Sequence, residues 1–141
     1  MTFLPVYLDS SAIVKLVVRE PETDALRAAL ERWPDRVSAA LSRVEVHRAL
    51  RRSGVSKSVH ARADAVLEAL ALVRLDESLL SRAAEFEQPH MRSLDAIHLA
   101  AALAIGDDPD AFITYDDRLA NAARNQGLTV LHPGARGLAH K

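Results

Sequence analysis

Apolar residues along the chain follow two alternating patterns. Short β-prone runs recur at 6–8, 36–38, 72–75, 111–114 and 128–131, the form of short buried strands. Between them apolar residues return at helical spacing. This predicts helices at 10–18, 22–33, 40–53, 56–70, 77–86, 93–105 and 116–125. In the second, Leu26, Ala29 and Leu30 share a face and Pro34 stops the helix. In the fourth, Val59, Ala63, Val66, Leu67 and Leu70 form the stripe. Gly54 and Gly127 end helices, Pro89 marks a break, and Ser93 reads as a cap. Strands separated by helices give a parallel sheet covered on both faces. With right-handed crossovers, the expected fold is a three-layer α/β/α domain with about five strands. In such sheets, ligands bind beyond the carboxyl ends of the strands, where strand order reverses.

Length narrows this to one unit. The 141 residues suit a single domain, expected over 1–131, with a loose tail at 132–141. Neither repeats nor a linker interrupt the pattern. There is no cysteine, which removes disulfides, thiolate nucleophiles and cysteine-based zinc sites. The longest apolar stretch, 96–105, is interrupted by His98 and spans about half a bilayer. Residues 1–10 have no basic region and reach Asp9 at once, unlike a signal peptide. A cytoplasmic protein without membrane segments is therefore expected. Net charge is −1, which excludes a uniformly basic nucleic-acid coat. Aromatics are 4%, too few for binding bases chiefly by stacking.

The acids change the picture. Asp9 follows the first strand and Asp116 closely follows the fourth. Both positions suit a helix N-cap, which accepts backbone N–H bonds. Asp117 beside the latter suits solvent or the helix dipole. Asp95 lies in the first turn of an otherwise apolar helix, where an acid complements the dipole. That helix is apolar on nearly all sides and should be buried. His98 shares its face with Asp95 and reads as a satisfied core histidine or a support beside the site. Glu45 falls between Leu41 and Ala49, on the face that Leu41, Val44 and Ala49 should pack. A charge there needs a partner or a metal, and Arg48 or Arg52 is the simple candidate partner. If Asp9, Glu45, Asp95 and Asp116 converge, their repulsion requires a divalent cation or protonation. Oxygen ligands without a Cys or His cluster favour Mg²⁺ or Mn²⁺ over zinc.

These residues carry a resemblance. The run Tyr7-Leu8-Asp9-Ser10-Ser11-Ala12 resembles the opening of PIN-domain proteins. Ser42-Arg43-Val44-Glu45-Val46 resembles their second acidic motif, and Leu94-Asp95-Ala96-Ile97-His98 the third. Phe112-Ile113-Thr114-Tyr115-Asp116 resembles the fourth. Motifs and length together are similar to the VapC toxins of toxin–antitoxin pairs, over nearly the whole chain to Leu131. The resemblance implies a metal-dependent endoribonuclease that cuts selected transfer or ribosomal RNA and arrests translation. It implies a homodimer and a VapB-type antitoxin that covers the acidic cleft. The metal-holding acids would be Asp9, Glu45, Asp95 and Asp116, with Ser11 and Thr114 in or beside the metal shell. Lys15, Arg48, Arg52, Arg92 and Arg118 are candidate phosphate contacts, or else ordinary surface charges. The segment 20–70 could carry the dimer or antitoxin groove, with Trp33 in the core or at that interface.

Two other readings stand beside it. One is a phosphotransfer or receiver domain on a similar sheet. A phosphatase of that type wants a second acid two residues after the first, where Ser11 stands. A receiver wants paired acids near the first strand and a lysine after the fifth, and no glycine-rich phosphate loop is present. The other is a PIN-like domain that binds RNA or a regulatory partner without catalysis.

Overall fold

The computed structural model describes residues 4–106 and 108–136. Five strands form one sheet: β1 (Val6–Leu8), β2 (Arg36–Ala39), β3 (Ala71–Val73), β4 (Ala111–Ile113) and β5 (Val130–Leu131). Their order is β3-β2-β1-β4-β5, and every pair is parallel. Seven helices connect them: α1 (Ser10–Val17), α2 (Thr23–Leu30), α3 (Ser42–Ser53), α4 (Lys57–Glu68), α5 (Glu77–Ala84), α6 (Ser93–Leu103) and α7 (Asp117–Asn125). The expected three-layer architecture is therefore present. No helix among the described residues is long and apolar enough to cross a membrane.

The two-residue period of the strands divides the core. Val6, Leu8, Ala111 and Ile113 point to one face, where α1 to α4 supply Ile13, Leu26, Val46, Leu50 and Leu67. Tyr7, Val37, Ala39 and Phe112 point to the other, against Leu79, Leu99, Leu119 and Ala123 of α5 to α7. Both faces of a central strand are thus covered, and β1 and β4 are wholly buried. Trp33 belongs to the first core and is 3% exposed, its indole N–H donating to Asp110 at 2.7 Å. It is a core residue.

Several local expectations are corrected. Ser93 is the first residue of α6; the N-cap is Arg92, whose side chain makes no capping bond. The face assigned to α3 is also different. Its buried stripe is Ser42, Val46 and Leu50, at spacings of four, which places Val44 opposite and 60% exposed. The second helix is shorter than the apolar pattern suggested, because Glu31 to Trp33 close it with tight turns ahead of Pro34. The first part of the tail is docked. Tyr115 Oη donates to the Pro133 carbonyl at 2.7 Å. Gly134, at φ 81°, lies so close to α2 that a Cβ there would meet Ala25 Cβ at 2.8 Å. The remaining tail, 137–141, lies outside the described residues.

Connectivity fixes the location of a site. From β1 the chain builds outward through β2 to β3, then returns to add β4 and β5 on the other side. Strand order reverses between β1 and β4. The crevice beyond their carboxyl ends opens where Asp9 follows β1 and where Thr114 and Asp116 follow β4.

Candidate active site

Asp9 is the most enclosed acid, 3% exposed at the end of β1. Its Oδ1 accepts from the Ala12 N–H at 3.0 Å, capping α1, and from Ser11 Oγ at 2.7 Å. Its Oδ2 accepts from Thr114 Oγ1 at 2.6 Å. Thr114 Oγ1 in turn accepts from the Asp116 N–H at 3.0 Å, tying β1 to the start of α7. Burial raises the Asp9 carboxyl above its ordinary value, and His98 and the two hydroxyls offset this only in part. Ser11 also accepts from the Tyr115 N–H at 2.9 Å. Ser11 and Thr114 therefore hold Asp9 in one rotamer.

Asp116 caps α7, accepting from the Leu119 N–H at 3.0 Å. Burial pushes its carboxyl up, but that N–H and the Arg92 guanidinium outweigh burial and leave it below its ordinary value. Asp95, on the first turn of α6, is 7% exposed and raised by burial, with Arg92 opposing the rise. Arg92 joins the two acids. Its Nε donates to Asp95 Oδ2 at 2.9 Å, and its Nη2 lies 3.1 Å and 3.3 Å from the Asp116 oxygens.

Glu45 reaches this crevice from α3. Neither Arg48 nor Arg52 is its partner. His98 Nε2 lies 2.7 Å from Glu45 Oε1, which also accepts from Ser10 Oγ. Because a carboxylate only accepts, Nε2 carries the proton, and in the neutral ring Nδ1 accepts from Tyr7 Oη at 2.7 Å. Burial raises Glu45, but the His98 and Ser10 bonds overcome it and hold the carboxyl below its ordinary value. His98 is thus the satisfied core histidine expected, with both ring nitrogens committed. Ser10 is a participant that sequence reasoning missed. It continues to Ser42 Oγ at 3.2 Å, and Ser42 to Ser38 Oγ at 2.7 Å. Its position beside Asp9, on the first turn of α1, was the available signal.

Three of the acids are coupled directly, since the Asp116 charge raises both Glu45 and Asp95, while Asp9 is tied to the start of α7 through Thr114. Among the described residues, no three His, Asp or Glu side chains are arranged to hold a metal ion as they stand. The reason is visible in the bonds. Each carboxylate is turned toward a protein partner, and a guanidinium occupies the space between Asp95 and Asp116. The donors nonetheless suit a hard divalent cation. All are carboxylate oxygens, and Glu45 Oε2 and Asp95 Oδ1 make no hydrogen bond among the described residues.

Four of the five basic candidates divide between two cavities flanking the acids. A cavity of about 410 Å³ brings Lys15 and Arg52 together with Ser10, Glu45 and Tyr115. Lys15 is already paired there, 3.0 Å from Glu22 and 3.4 Å from Glu20, and stands over the Tyr115 ring at 4.7 Å. A second cavity of about 240 Å³ contains Arg92 and Arg118 with Asp95. Arg48 is exposed on α3 and lines neither cavity.

Comparison with known proteins agrees with this geometry. Residues 6–125 match the PIN domain family. Ribonuclease VapC46 of Mycobacterium tuberculosis is 48% identical over 128 residues, covering 91% of this chain and 97% of that protein. Ribonuclease VapC47 of the same species is 39% identical, covering 92% of this chain and 98% of the relative. Among solved structures, the sarcin-ricin loop cleaving toxin VapC20 of M. tuberculosis superposes with a TM-score of 0.70 at 14% identity. That likeness covers 91% of this chain and 99% of the toxin, and concerns the fold. With its acids converging at the β1/β4 switch point, the chain belongs to the PIN-domain family and, within it, to the VapC ribonucleases.

Proposed function

We propose that this chain is a Mg²⁺- or Mn²⁺-dependent endoribonuclease toxin in which Asp9, Glu45, Asp95 and Asp116 hold the metal. The observation that supports this most directly is the gathering of the four acids at one crevice: Arg92 bridges Asp95 and Asp116, the Asp116 charge is felt at Glu45, and Thr114 ties Asp9 to the start of α7. A pair of carboxylates that binds a guanidinium has the charge to bind a divalent cation in its place. When bound, such an ion supplies a water of lowered pKa and stabilises charge on the phosphoryl oxygens.

The chain's own groups do the remaining work. Ser11 and Thr114 fix the Asp9 oxygens. His98, itself held by Tyr7, and Ser10 fix Glu45. Backbone N–H groups of α1 and α7 fix Asp9 and Asp116. An acidic cleft alone repels RNA, so cations at its rim matter for substrate binding. Arg92 and Arg118 on one side, and Arg52 and Lys15 on the other, serve the flanking phosphates, with Arg48 further out on α3. Lys15 does so only after leaving Glu20 and Glu22.

The substrate class proposed is structured cellular RNA, transfer or ribosomal, consistent with relatives named ribonucleases and a structural neighbour described as cleaving the sarcin-ricin loop. We further place the chain in the cytoplasm, as a homodimer controlled by a VapB-type antitoxin that covers the acids. Purified protein should cut RNA in Mg²⁺ or Mn²⁺ and stop in EDTA, while Asp9→Asn stays folded and inactive. Expression should slow growth, and co-expression of the cognate antitoxin should restore it. Full activity of Asp9→Asn would refute the mechanism; metal binding without cleavage across a broad RNA panel would favour the non-catalytic reading.

A further inference from the structure

The cavity of about 240 Å³ beside Asp95 has more in it than phosphate-binding charge. One wall is a stripe of α7: Arg118, Asn121, Ala122 and Asn125, at i, i+3, i+4 and i+7. Such spacing puts the four on one face, distinct from the buried Leu119, Ala120 and Ala123. The facing wall is the α5–α6 connection, with Gln88 and Met91. Among the described residues, the side chains of Gln88 and Asn125 make no hydrogen bond, and Asn121 makes one, from Arg124 at 3.3 Å. Three amides with uncommitted donors and acceptors therefore line one cavity, with apolar surface from Met91 and Ala122 between them. The cavity shares Arg92 and Asp95 with the acidic cluster, so its mouth is continuous with the reaction centre.

We propose that this cavity is a nucleobase subsite, in which a single unpaired base next to the scissile phosphate is inserted and read by Gln88, Asn121 and Asn125. This rests on the endoribonuclease reading above. Size supports it. A cavity of ~150 Å³ admits one six-membered ring, so about 240 Å³ takes a base but not a folded loop. Chemistry supports it too. Unpaired RNA bases are recognised by hydrogen bonds to their edges and by packing on their faces, and an amide can give and accept one bond each to a base edge. Arg92 and Arg118 at the rim carry charge suited to the phosphates on either side of that nucleotide. Among the described residues no Phe, Tyr or Trp lines this cavity, but His90 does, so its imidazole, with Met91 and Ala122, offers the face on which a base packs while the amides read its edge.

The test compares wild type with Gln88→Ala and Asn125→Ala on a randomised single-stranded RNA library in Mn²⁺, reading the cut ends by sequencing. The expected result is a base preference at one fixed position beside the cut, reduced at least ~5-fold in a variant, the low end for one bidentate contact. Preferences at other positions should stay as in wild type. An unchanged profile, or a uniform loss of rate with the profile intact, overturns the subsite. A second arm needs no catalysis: the four nucleoside 5′-monophosphates are added in EDTA while the side-chain amide signals of Gln88, Asn121 and Asn125 are followed by NMR. Selective shifts with one or two of the nucleotides support the subsite; no shifts, or equal shifts with all four, overturn it. If wild type cuts nothing in any divalent ion, the nuclease reading fails and this second arm alone decides the subsite.

Discussion

Arg92→Gln should strengthen divalent-metal binding, because in the proposed site the wild-type guanidinium takes the place a cation would fill between Asp95 and Asp116. Arg92 bonds Asp95 at 2.9 Å and Asp116 at 3.1 Å. Coulomb's law at these distances gives a large gross attraction, but Arg92 is 43% and Asp116 38% exposed, so solvent screens much of it. Exposed pairs are worth ~0.2–1 kcal/mol each. The Asp95 side of the clamp is more enclosed, at 11% exposure, and hydrogen bonds to charged groups reach ~1.5–3 kcal/mol. Discounted for the exposed guanidinium, the clamp as a whole is worth about 1–2 kcal/mol. A metal ion must displace that energy, so removing it should tighten Mn²⁺ binding by roughly 5- to 30-fold. Titration calorimetry of both proteins with Mn²⁺ measures the ratio directly. The gain should shrink as salt rises from about 50 to 500 mM, since added ions screen the exposed half of the clamp. Unchanged or weaker Mn²⁺ binding in Arg92→Gln would refute the displacement argument. Cleavage alone would not decide it, because Arg92 also faces the RNA phosphates in the proposed complex.

Three further outcomes follow from the same bonds. Asp9→Asn should melt at a higher temperature than wild type in EDTA near neutral pH, since burial raises the native Asp9 carboxyl and makes its ionised form costly. For an acid raised on folding, the native state binds the proton more tightly, so wild-type stability falls as pH climbs from the unfolded value of about 3.9 through the raised native one; the variant's advantage in urea melts should widen over that window and vanish below it. His98→Ala should destabilise the fold by about 2–4 kcal/mol in urea denaturation, because it strips partners from the buried Tyr7 hydroxyl and from Glu45, whereas a loss below ~1 kcal/mol would mean water replaces the ring. Gly134→Ala should cost about 1–2 kcal/mol by the same method, because the residue sits at φ 81° with Ala25 Cβ 2.8 Å from the new methyl; an unchanged midpoint would show that this segment does not stay docked on α2.

What the sequence made legible was local. Strand and helix order, the buried face of α6, and the placement of Asp9 and Asp116 after β1 and β4 all follow from short-range periodicity. What it hid was long-range. Glu45 and His98 are 53 residues apart, and Tyr7 and His98 are 91 apart; no spacing rule links them. The arginines near Glu45 looked like its natural partners only because sequence proximity was the available guide. The bond of Arg92 to Asp116, 24 residues away, was hidden for the same reason, since it depends on how α6 and α7 pack; its expected role as a phosphate contact is a separate matter. Val44 was misplaced by a different route. Three apolar residues defined a face, but the serine at 42 was the true member of the stripe, buried because it bonds Ser38 and Ser10. A polar residue satisfied inside the core is invisible to a hydrophobic pattern.

Helix capping and chemistry at Asp9 and Asp116 looked like competing explanations in the sequence; the structure shows the caps, and in the proposed site the same bonds would position the metal-holding oxygens. A cap fixes a carboxylate against a rigid helix end with a backbone N–H that cannot move away. It also leaves lone pairs open, since a carboxylate has about four acceptor sites. Asp9 uses Oδ1 on α1 and Oδ2 on Thr114, so both oxygens are held, and Asp116 is held on α7. Asp95 and Glu45 do not cap helices and need other anchors, which are Arg92 and the His98–Tyr7 pair. The consequence is a division within the cluster. Burial leaves Asp9 and Asp95 raised, while stronger bonding leaves Glu45 and Asp116 lowered. Like charges crowded together are tolerated when some are held ready for protons and the others are compensated. Arg92 supplies that compensation at Asp95 and Asp116, and its side chain is 43% exposed. The net charge of −1 therefore conceals an acidic crevice whose counter-charge at Asp95 and Asp116 is carried on one half-exposed side chain, and in the proposed mechanism that side chain is what a divalent cation would displace.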